Sequence, residues 1–286
     1  MKSNVILVGP IGTGKDWCCR TLLKEYPDEN GRMRRGAGKT VMMLANEPGW
    51  DETNGDLTCD MGFHVHQHLP YEAPLDQYLE WLEYIAGRSA ADVKEMKLPQ
   101  AIKLPFAQPW MGMYRVVNGF ICDRCKENFG PVSAWDKEGN FVGWDDSYAL
   151  MQDGLTGISD MACHYTAGPK PSMSFPEYEA AQTIIRNWIG LCTSFRSTYV
   201  LIAHMAREPD EVEGGTKITV DTVGKKLAPR VVKPFGEIIV CRRDVDKYSW
   251  NMVDVDNMHV DQKARRLPYK ANINPSFVEI FGEWKG

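Results

Sequence analysis

The stretch GPIGTGKD, from Gly9 to Asp16, has the residue types and the spacing that hold a chain of phosphates. It matches the pattern G-x-x-x-x-G-K and lies between an apolar strand-like run, Val5 to Val8, and a helix predicted from Trp17 to Tyr26. In that setting backbone N–H groups surround phosphate oxygens at the start of the helix, and Lys15 contacts the terminal phosphates. The predicted nucleotide-binding residues are Gly9, Pro10, Ile11, Gly12, Thr13, Gly14, Lys15 and Asp16.

Asp16 departs from this pattern, which normally has Ser or Thr at that position to hold magnesium. Mg²⁺ is a hard ion that accepts carboxylate oxygen, so Asp16 is predicted to ligate it directly or through water. Because the added negative charge weakens binding of phosphates when no metal is present, we expect strong magnesium dependence. The alternative is that Asp16 blocks a productive metal geometry.

A second glycine-lysine stretch, GAGKT from Gly36 to Thr40, has the Thr that the first one lacks. However, Met33 stands where the leading glycine is needed, and the residues that follow predict a strand instead of a helix. We therefore reject this stretch as a phosphate loop.

Three further residues with useful chemistry follow apolar runs. Asp153 ends ALMQD and is predicted to hold the metal, as a strand-end Asp does in enzymes that transfer phosphoryl groups. Glu47, in LANEPGW, is predicted to activate or orient water, and His204, after TYVLIA, to lie near the γ-phosphate. Each residue also has an alternative without a catalytic role. Asp153 could belong to an ordinary Asp-Gly turn, Glu47 could be a solvated loop carboxylate, and His204 could be an ordinary histidine at the end of a strand.

These residues can meet only if several strands end at one edge of a parallel sheet. Val5 to Val8, Val41 to Ala45, FHVHQHL, SYALMQDGLT and TYVLIAHM have the composition of strands, and APLDQYLEWLEYIAG and 175–195 have helical spacing. The segment 88–144 is predicted to be an irregular insertion. GGTKITVDT, GEIIVCRR and KYSWNMVDV predict short, mostly antiparallel strands near the C-terminal edge. Residues 1–286 are interpreted as one α/β domain.

The composition excludes several classes of protein. At 286 residues and 43% hydrophobic, the chain can bury a large core, and its net charge of −5 excludes binding of polyanions through a basic surface as a whole. No run of about 18 apolar residues predicts a membrane span. The eight cysteines lack the dense spacing of a secreted scaffold, so we expect reduced thiols and a cytoplasmic location.

Taken as an ordered set, GPIGTGK, ANEPG, DGLTGISDMA, IAHMARE, GGTKITVDTVGKKLAP and KARRLP resemble the RecA-like P-loop ATPases of bacteriophages. In particular, they resemble the single-strand annealing or recombination ATPases with a minimal RecA core. The resemblance implies a mainly parallel twisted sheet flanked by helices, with antiparallel C-terminal strands. It also implies an oligomer, ring or filament, that uses ATP and Mg²⁺, binds single-stranded DNA in the host cytoplasm, and has a single-strand binding protein as a further partner.

The same resemblance assigns roles to particular residues. Glu47 is similar to the water-activating carboxylate, Asp153 to the metal-side Asp and His204 to the sensor. Lys263 and Arg265 resemble the Lys-x-Arg pair that such subunits insert into a neighbour's site, where it neutralises transition-state charge. The alternative is a basic strand end or loop end without that role.

DNA is expected at the loops that follow the Asp153 and His204 strands, about Gly157 to Pro176 and Met205 to Pro229. Cations in these loops can pair with phosphates, and Tyr165 and Phe175 can stack on bases. The predicted DNA-binding residues are Lys170, Lys217, Lys225, Lys226 and Arg230. The alternative is a solvated loop of mixed charge, because EPDEVE lies in the second loop.

The C-x-x-C stretch from Cys122 to Cys125 has the spacing of half a zinc site. Zinc takes four ligands, and the sequence has no second C-x-x-C. Cys59, His64, His66 and His68 are the residues that could complete a set, because alternate residues of a strand share a face. The alternative is reduced thiols in a turn beside a polar strand face, and the family pattern includes no such site.

Two other functions remain open at this level. One is a P-loop kinase or small-molecule NTPase, whose turnover would not respond to DNA. The other is a nucleotide-binding assembly module without turnover.

Overall fold

A computed structural model describes residues 2–70, 75–170, 172–209, 216–224, 226–245, 247–252, 258–260, 264–268 and 270–285. Its strands are β1 (Val5–Val8), β2 (Glu25–Pro27), β3 (Met33–Arg35), β4 (Thr40–Ala45), β5 (Phe63–Gln67), β6 (Tyr148–Asp153), β7 (Thr198–Ala203), β8 (Met205–Pro209), β9 (Thr216–Val220), β10 (Glu237–Asp244), β11 (Lys247–Asn251) and β12 (Met258–Val260). Its α-helices are α1 (Trp50–Asn54), α2 (Leu75–Ile85), α3 (Ala90–Glu95), α4 (Gln100–Asn118), α5 (Leu155–Ala167), α6 (Phe175–Ser194), α7 (Ala228–Val232) and α8 (Val278–Phe281). Two 3₁₀ helices span Trp17–Leu22 and Cys59–Met61.

The main sheet has seven strands in the order β11-β10-β1-β7-β6-β4-β5. All neighbours in it are parallel except β10 and β11. β1 and β7 are buried at every position, as expected of parallel strands covered on both faces. The prediction of an α/β fold with a mainly parallel sheet is confirmed. The expectation for the C-terminal strands is only partly right, because β10 pairs parallel with β1 while it pairs antiparallel with β11.

The two faces of the sheet support two separate layers of core. Alternate strand residues such as Ile6, Leu44 and Leu201 pack with residues of α4, α5 and α6 on one face. The residues between them, such as Leu7, Met43 and Ile202, pack on the other face with the 3₁₀ helix Trp17–Leu22 and the C-terminal segment around α8. The sheet is therefore held between two layers, and the loops at its carboxyl edge are free to form a site.

The helix expected from Trp17 to Tyr26 is instead a 3₁₀ helix that ends at Leu22, followed by β2. The carbonyl groups of its last turn accept hydrogen bonds from a distant segment: Ala37 N–H donates to Thr21 (2.9 Å), and Lys39 N–H donates to Leu22 (2.8 Å). Because these partners replace the next helical N–H groups, the helix stops.

The same contacts explain the glycines of GAGKT. A Cβ at Gly36 would lie 2.2 Å from the carbonyl oxygen of Leu23, so only glycine allows this approach. Lys39 is buried, with Nζ 4.6 Å from the Phe281 ring centroid. This stretch is a structural contact, which agrees with its rejection as a phosphate loop.

The segment 88–144 is not irregular throughout, because it contains α3 and the long α4. Prolines at 105 and 109 favoured the irregular interpretation, since proline interrupts helical hydrogen bonding. Burial outweighs that cost: Phe106, Trp110 and Met113, spaced one helical turn or two apart, are each 3% exposed or less. Among the described helices, none is long and apolar enough to cross a membrane.

Candidate active site

The strand register brings four sequence-predicted segments to one edge of the sheet. β1, β7, β6 and β4 are adjacent in that order, and Val8 pairs with Ala203, Asp153 with Ile202, and Ala45 with Asp153. The residues that follow these strands therefore start at nearly the same level. The phosphate-loop stretch, His204 and Glu47 are placed side by side with Asp153.

The loop from Gly9 to Asp16 is wrapped around the side chain of Lys15. Gly12 and Gly14 have φ of 74° and 73°, a conformation that side chains with a Cβ rarely adopt. Lys15 is 5% exposed, and its Nζ donates to the carbonyl oxygens of Gly9 (3.0 Å) and Pro10 (2.7 Å). The following helix is only a six-residue 3₁₀ helix, so an anion at this loop would be held by loop amides and Lys15 more than by a helix dipole.

Asp16 and Asp153 form an acidic group beside this lysine. Burial raises the pKa of Asp153 well above its usual value, and the carboxylates of Asp16 and Glu47 raise it further, while Lys15 acts in the opposite direction. Burial likewise raises the pKa of Asp16, which Glu47 raises and Lys15 lowers. Asp16 and Asp153 carry carboxylate oxygens, which are the ligands that Mg²⁺ prefers. These two residues could therefore hold Mg²⁺ beside Lys15.

Glu47 and His204 form a second pair in the crevice. Glu47 Oε2 lies 3.2 Å from His204 Nε2. Burial alone would raise the pKa of Glu47, but the hydrogen bond and charge of His204 bring it below its usual value, so Glu47 is ionised at neutral pH. Its other oxygen, Oε1, is buried and has no side-chain partner among the described residues, and the backbone N–H of Gly157 gives the carboxylate a further hydrogen bond.

Gly154 makes room for this carboxylate. It follows Asp153 through a cis peptide bond, and a Cβ at this position would lie 2.4 Å from Glu47 Oε1. Gly157, at the start of α5, is equally confined, because its Cβ would lie 2.3 Å from the carbonyl oxygen of Asn46. The two glycines bring the turn after β6 and the start of α5 against the end of β4.

A buried polar network holds the ends of β4 and β6 together. Gln152 Nε2 donates to Asn46 Oδ1 (2.7 Å), and Gln152 Oε1 accepts from Trp188 Nε1 (3.0 Å) and from the Tyr199 hydroxyl (2.7 Å). Asn46 and Gln152 are fully buried, and each immediately precedes a candidate site residue. Because all these groups are hydrogen-bonded, the network is rigid and fixes the backbone positions from which the Glu47 and Asp153 side chains extend.

An ion pair fixes the segment after the phosphate loop. Arg20, 3% exposed, donates to both carboxylate oxygens of Asp56, at 2.9 and 3.1 Å. Asn54 Nδ2 donates to the carbonyl oxygen of Asp16 (3.2 Å). These contacts link the loop to the chain that follows Glu47, so the two halves of the crevice are held in one arrangement.

A cavity of about 650 Å³ adjoins the phosphate loop. Its walls include Lys15, Arg243, Tyr248 and Asn274. The Tyr248 ring lies against the loop, since a Cβ at Gly14 would be 3.1 Å from it, and Arg243 lies 5.4 Å from the ring centroid. The volume is that of a small-molecule site, with an aromatic face and cationic groups beside the anion-binding loop.

Of the predicted Lys-x-Arg pair, Lys263 and Arg265, the member that the structure describes is not found in the crevice. Lys263 is outside the described residues. Arg265 is exposed, and its N–H donates to Glu237 Oε1 (3.1 Å) at the start of β10, beside the amino end of β1. The phosphate loop follows the opposite end of β1, so the structure does not bring Arg265 to the crevice of its own chain.

The predicted DNA loops are largely regular structure. Most of the first, Gly157 to Pro176, belongs to α5, and the second includes the antiparallel pair β8–β9. Lys170 is 4% exposed and pairs with Glu177 (2.6 Å), the residue that caps the start of α6, so it is not a free surface cation. Lys225 and the side chain of Lys217, on β9, lie outside the described part of the chain.

Lys226 and Arg230 are the predicted DNA-binding residues that the structure leaves exposed. The segment that carries them is joined to the crevice, because Asp221 N–H donates to the carbonyl oxygen of His204 (2.9 Å). The backbone of His204 is therefore in direct contact with the start of this segment.

The residues of the possible zinc site are partly gathered. Cys59, His64, Cys122 and Cys125 form one cluster. His66, on β5, and His68, just after it, contact backbone carbonyls instead, those of Ile121 (3.0 Å) and Pro109 (2.6 Å).

Sequence reasoning missed Asn46, Gln152, Arg20, Asp56 and Tyr248. The signal for the first two was a polar residue inside an apolar strand run, directly before each candidate carboxylate. The other three had no local signal, because their partners are distant in the chain.

A scan of the chain against protein-family models finds no match, and a search of curated proteins finds none. We therefore infer function from the geometry of the crevice.

Proposed function

We propose that this protein is a magnesium-dependent P-loop ATPase of the RecA-like type, which acts on single-stranded DNA as an oligomer of identical subunits. The observation that carries the proposal is the gathering of Lys15, Asp16, Glu47, Asp153 and His204 in one crevice at the carboxyl ends of adjacent parallel strands. Ligands of open α/β sheets bind at this edge.

ATP fits the crevice and its adjoining cavity together. The loop amides and Lys15 would bind the phosphates, and the 650 Å³ cavity has room for the nucleoside. Tyr248 offers an aromatic face for the base, and Arg243 adds positive charge near the phosphates. The hydrogen bonds that Lys15 makes to Gly9 and Pro10 would be exchanged for bonds to phosphate oxygens.

Asp16 and Asp153 would hold Mg²⁺, whose role is to neutralise charge on the phosphates. Asp16 takes the place of the usual hydroxyl ligand, and its partly buried position beside Asp153 supports that role.

Hydrolysis would use Glu47 as the base. The ionised carboxylate would accept the proton of a water molecule as the water oxygen bonds to the γ-phosphorus and the bond to the β-phosphate oxygen breaks. His204 holds the other carboxylate oxygen at 3.2 Å and so orients Glu47. Lys15 stabilises the negative charge that develops on the transferred group.

An oligomer is proposed because Arg265 cannot complete the site of its own chain. It is exposed at the amino end of the sheet, and β1 alone, four residues at about 3.3 Å each, separates it from the phosphate loop by more than about 10 Å. A head-to-tail contact would bring this end against the crevice of a second copy. Lys263 and Arg265 would then neutralise charge in trans.

DNA contact is proposed at the segment after β9, where Lys226 and Arg230 are exposed. The hydrogen bond from Asp221 to His204 would couple the state of the γ-phosphate to this surface. Cations of this kind bind the DNA backbone without sequence preference.

The test is the rate of phosphate release from ATP, with and without single-stranded DNA, for the parent and for three variants. Lys15→Ala should abolish turnover, and Lys226→Glu combined with Arg230→Glu should remove the response to DNA while leaving the basal rate. Lys137→Glu, an exposed lysine in another segment, is the matched control and should behave as the parent.

Two results would contradict the proposal. Turnover that DNA does not change would favour a kinase or small-molecule NTPase. ATP binding without any turnover, in the presence of Mg²⁺ and DNA, would favour an assembly module.

A further inference from the structure

Four potential metal ligands from three separate segments meet at the edge of the main sheet. Cys59 begins a 3₁₀ helix, His64 lies on the edge strand β5, and Cys122 and Cys125 lie in a hairpin after α4. One ligand atom from each of the four lies within 4.8 Å of the other three. His64 and Cys122 are buried, and Cys125 is exposed, so the cluster is closed on one side and reachable from solvent on the other.

Two distances inside the cluster match edges of a tetrahedron around one ion. Cys59 Sγ and Cys122 Sγ are 3.7 Å apart, and Cys125 Sγ is 3.7 Å from His64 Nδ1. Zinc bound at about 2.3 Å to sulfur and about 2.0 Å to nitrogen separates two sulfurs by about 3.8 Å and a sulfur from a nitrogen by about 3.5 Å. Both distances are therefore close to those between two ligands of one zinc ion, and all four atoms lie near enough together to share it.

The chain around the two hairpin cysteines has the geometry of a metal-binding turn. Ile121 pairs antiparallel with Asn128, and Lys126, at φ 63°, donates its N–H to the carbonyl oxygen of Cys122 (2.9 Å). The N–H groups of Arg124 and Cys125 also hydrogen-bond to the sulfur of Cys122. Backbone donors of this kind orient a ligating sulfur and are the expected surroundings of a metal ligand.

Independent contacts fasten this hairpin to β5. Asp123 N–H donates to the carbonyl oxygen of Val65 (2.7 Å), and Gln67 N–H donates to Asp123 Oδ2 (2.6 Å). Arg124 lies over the Trp50 ring at 4.8 Å. The hairpin therefore covers part of an edge strand that would otherwise present unpaired backbone groups.

Two other uses of the cluster fit less well. The Cys59 and Cys122 sulfurs, 3.7 Å apart, are not joined by a disulfide, whose S–S bond is about 2.05 Å. An iron–sulfur cluster needs space for several atoms between its ligands. The four ligand atoms here lie within 4.8 Å of one another, which leaves room for a single ion.

We propose that Cys59, His64, Cys122 and Cys125 bind one zinc ion as a closed, structural Cys₃His site that fastens the 120–130 hairpin to β5. Four protein ligands leave no open position for a substrate, so the ion stabilises the fold and takes no part in hydrolysis. Binding releases the thiol protons, because zinc binds the thiolate form.

The experiment measures metal content on full-length protein, produced with zinc in the medium and purified through a tag that binds no metal. Inductively coupled plasma mass spectrometry gives zinc and iron per chain for the parent, Cys125→Ser and His64→Asn. The matched controls are Cys163→Ser, a half-buried cysteine on α5, and His66→Asn, the neighbour of His64 on the same strand face.

We expect about one equivalent of zinc in the parent and in both controls, and a loss of most of it in the two ligand variants. Less than about a tenth of an equivalent in the parent, after incubation with equimolar zinc, would overturn the proposal. Iron in place of zinc, or zinc that the ligand variants keep in full, would also overturn it.

A second measurement covers the case in which the ligand variants do not fold. The parent is treated with a chelator and its melting temperature is followed. We expect a lower melting temperature that added zinc restores and added magnesium does not. An unchanged melting temperature after the zinc has been removed would show that no structural site exists.

Discussion

Replacing Glu47 by glutamine should separate ATP binding from ATP hydrolysis. The amide keeps the size of the carboxylate and can still hydrogen-bond to His204, now 3.2 Å from Glu47 Oε2. It cannot accept a proton from water. A positioned general base contributes about 10²–10⁴-fold, so the turnover rate should fall by that factor, or about 3–5 kcal/mol in the barrier.

The other effects of Glu47→Gln should be small. Glu47 is 25% exposed and makes one charge-assisted side-chain contact, so its loss costs at most about 1–2 kcal/mol of folding free energy. That cost is offset because Glu47 also raises the pKa of Asp16 and of Asp153, which shows that the three carboxylates repel one another. Removing one negative charge should leave ATP binding unchanged or tighter.

Three assays distinguish these effects: phosphate release at saturating ATP with single-stranded DNA, titration with a fluorescent ATP analogue, and thermal unfolding. Glu52→Gln, an exposed glutamate on α1, removes the same charge nearby without touching the crevice and should behave as the parent. If Glu47→Gln retains turnover within about tenfold of the parent, Glu47 is not the base.

Three further predictions follow from contacts around the crevice. Gly154→Ala should displace the Glu47 carboxylate, because the new Cβ would lie 2.4 Å from Oε1, so phosphate release should fall while ATP titration is unchanged; an unaffected rate would contradict the close packing. Tyr248→Ala should weaken ATP binding by about 1 kcal/mol or more, roughly fivefold, whereas Tyr248→Phe should not; equal affinities in calorimetry would remove the ring from the nucleotide site. Arg20→Met should lower the unfolding free energy by about 1–3 kcal/mol in denaturant titration, since it breaks the pair with Asp56. In the double variant with Arg20→Met, Asp56→Asn should lower the unfolding free energy little further. Fully additive losses of unfolding free energy would show that the two residues are not coupled.

The parallel strands were readable from the sequence because their signal is local. Val5–Val8 and Thr198–Ala203 are continuous apolar runs, and a strand buried on both faces has that composition. Polar residues at the ends of such runs indicated Glu47, Asp153 and His204 as candidates. The structure places them together because parallel strands end at one edge.

Other elements could not be read because distant contacts decide them. Two prolines within α4 signalled a broken helix, yet the burial of Phe106 and Trp110 maintains it. The 3₁₀ helix after the phosphate loop stops where Ala37 and Lys39 supply the N–H groups. Lys170 had the composition of a DNA contact, but a capping glutamate engages it.

The sequence by itself indicated the glycine-lysine loop from Gly9 to Asp16 and the strand-end carboxylates, because chemistry and spacing there lie within a few residues. Tertiary structure alone decided the pairing of Glu47 with His204, the exclusion of Arg265 from its own crevice, and the meeting of Cys59 and His64 with the C-x-x-C hairpin. The physical reason is that strand order and register are set by burial of the whole sheet. A local sequence pattern does not show which distant residues come into contact when the whole sheet is buried.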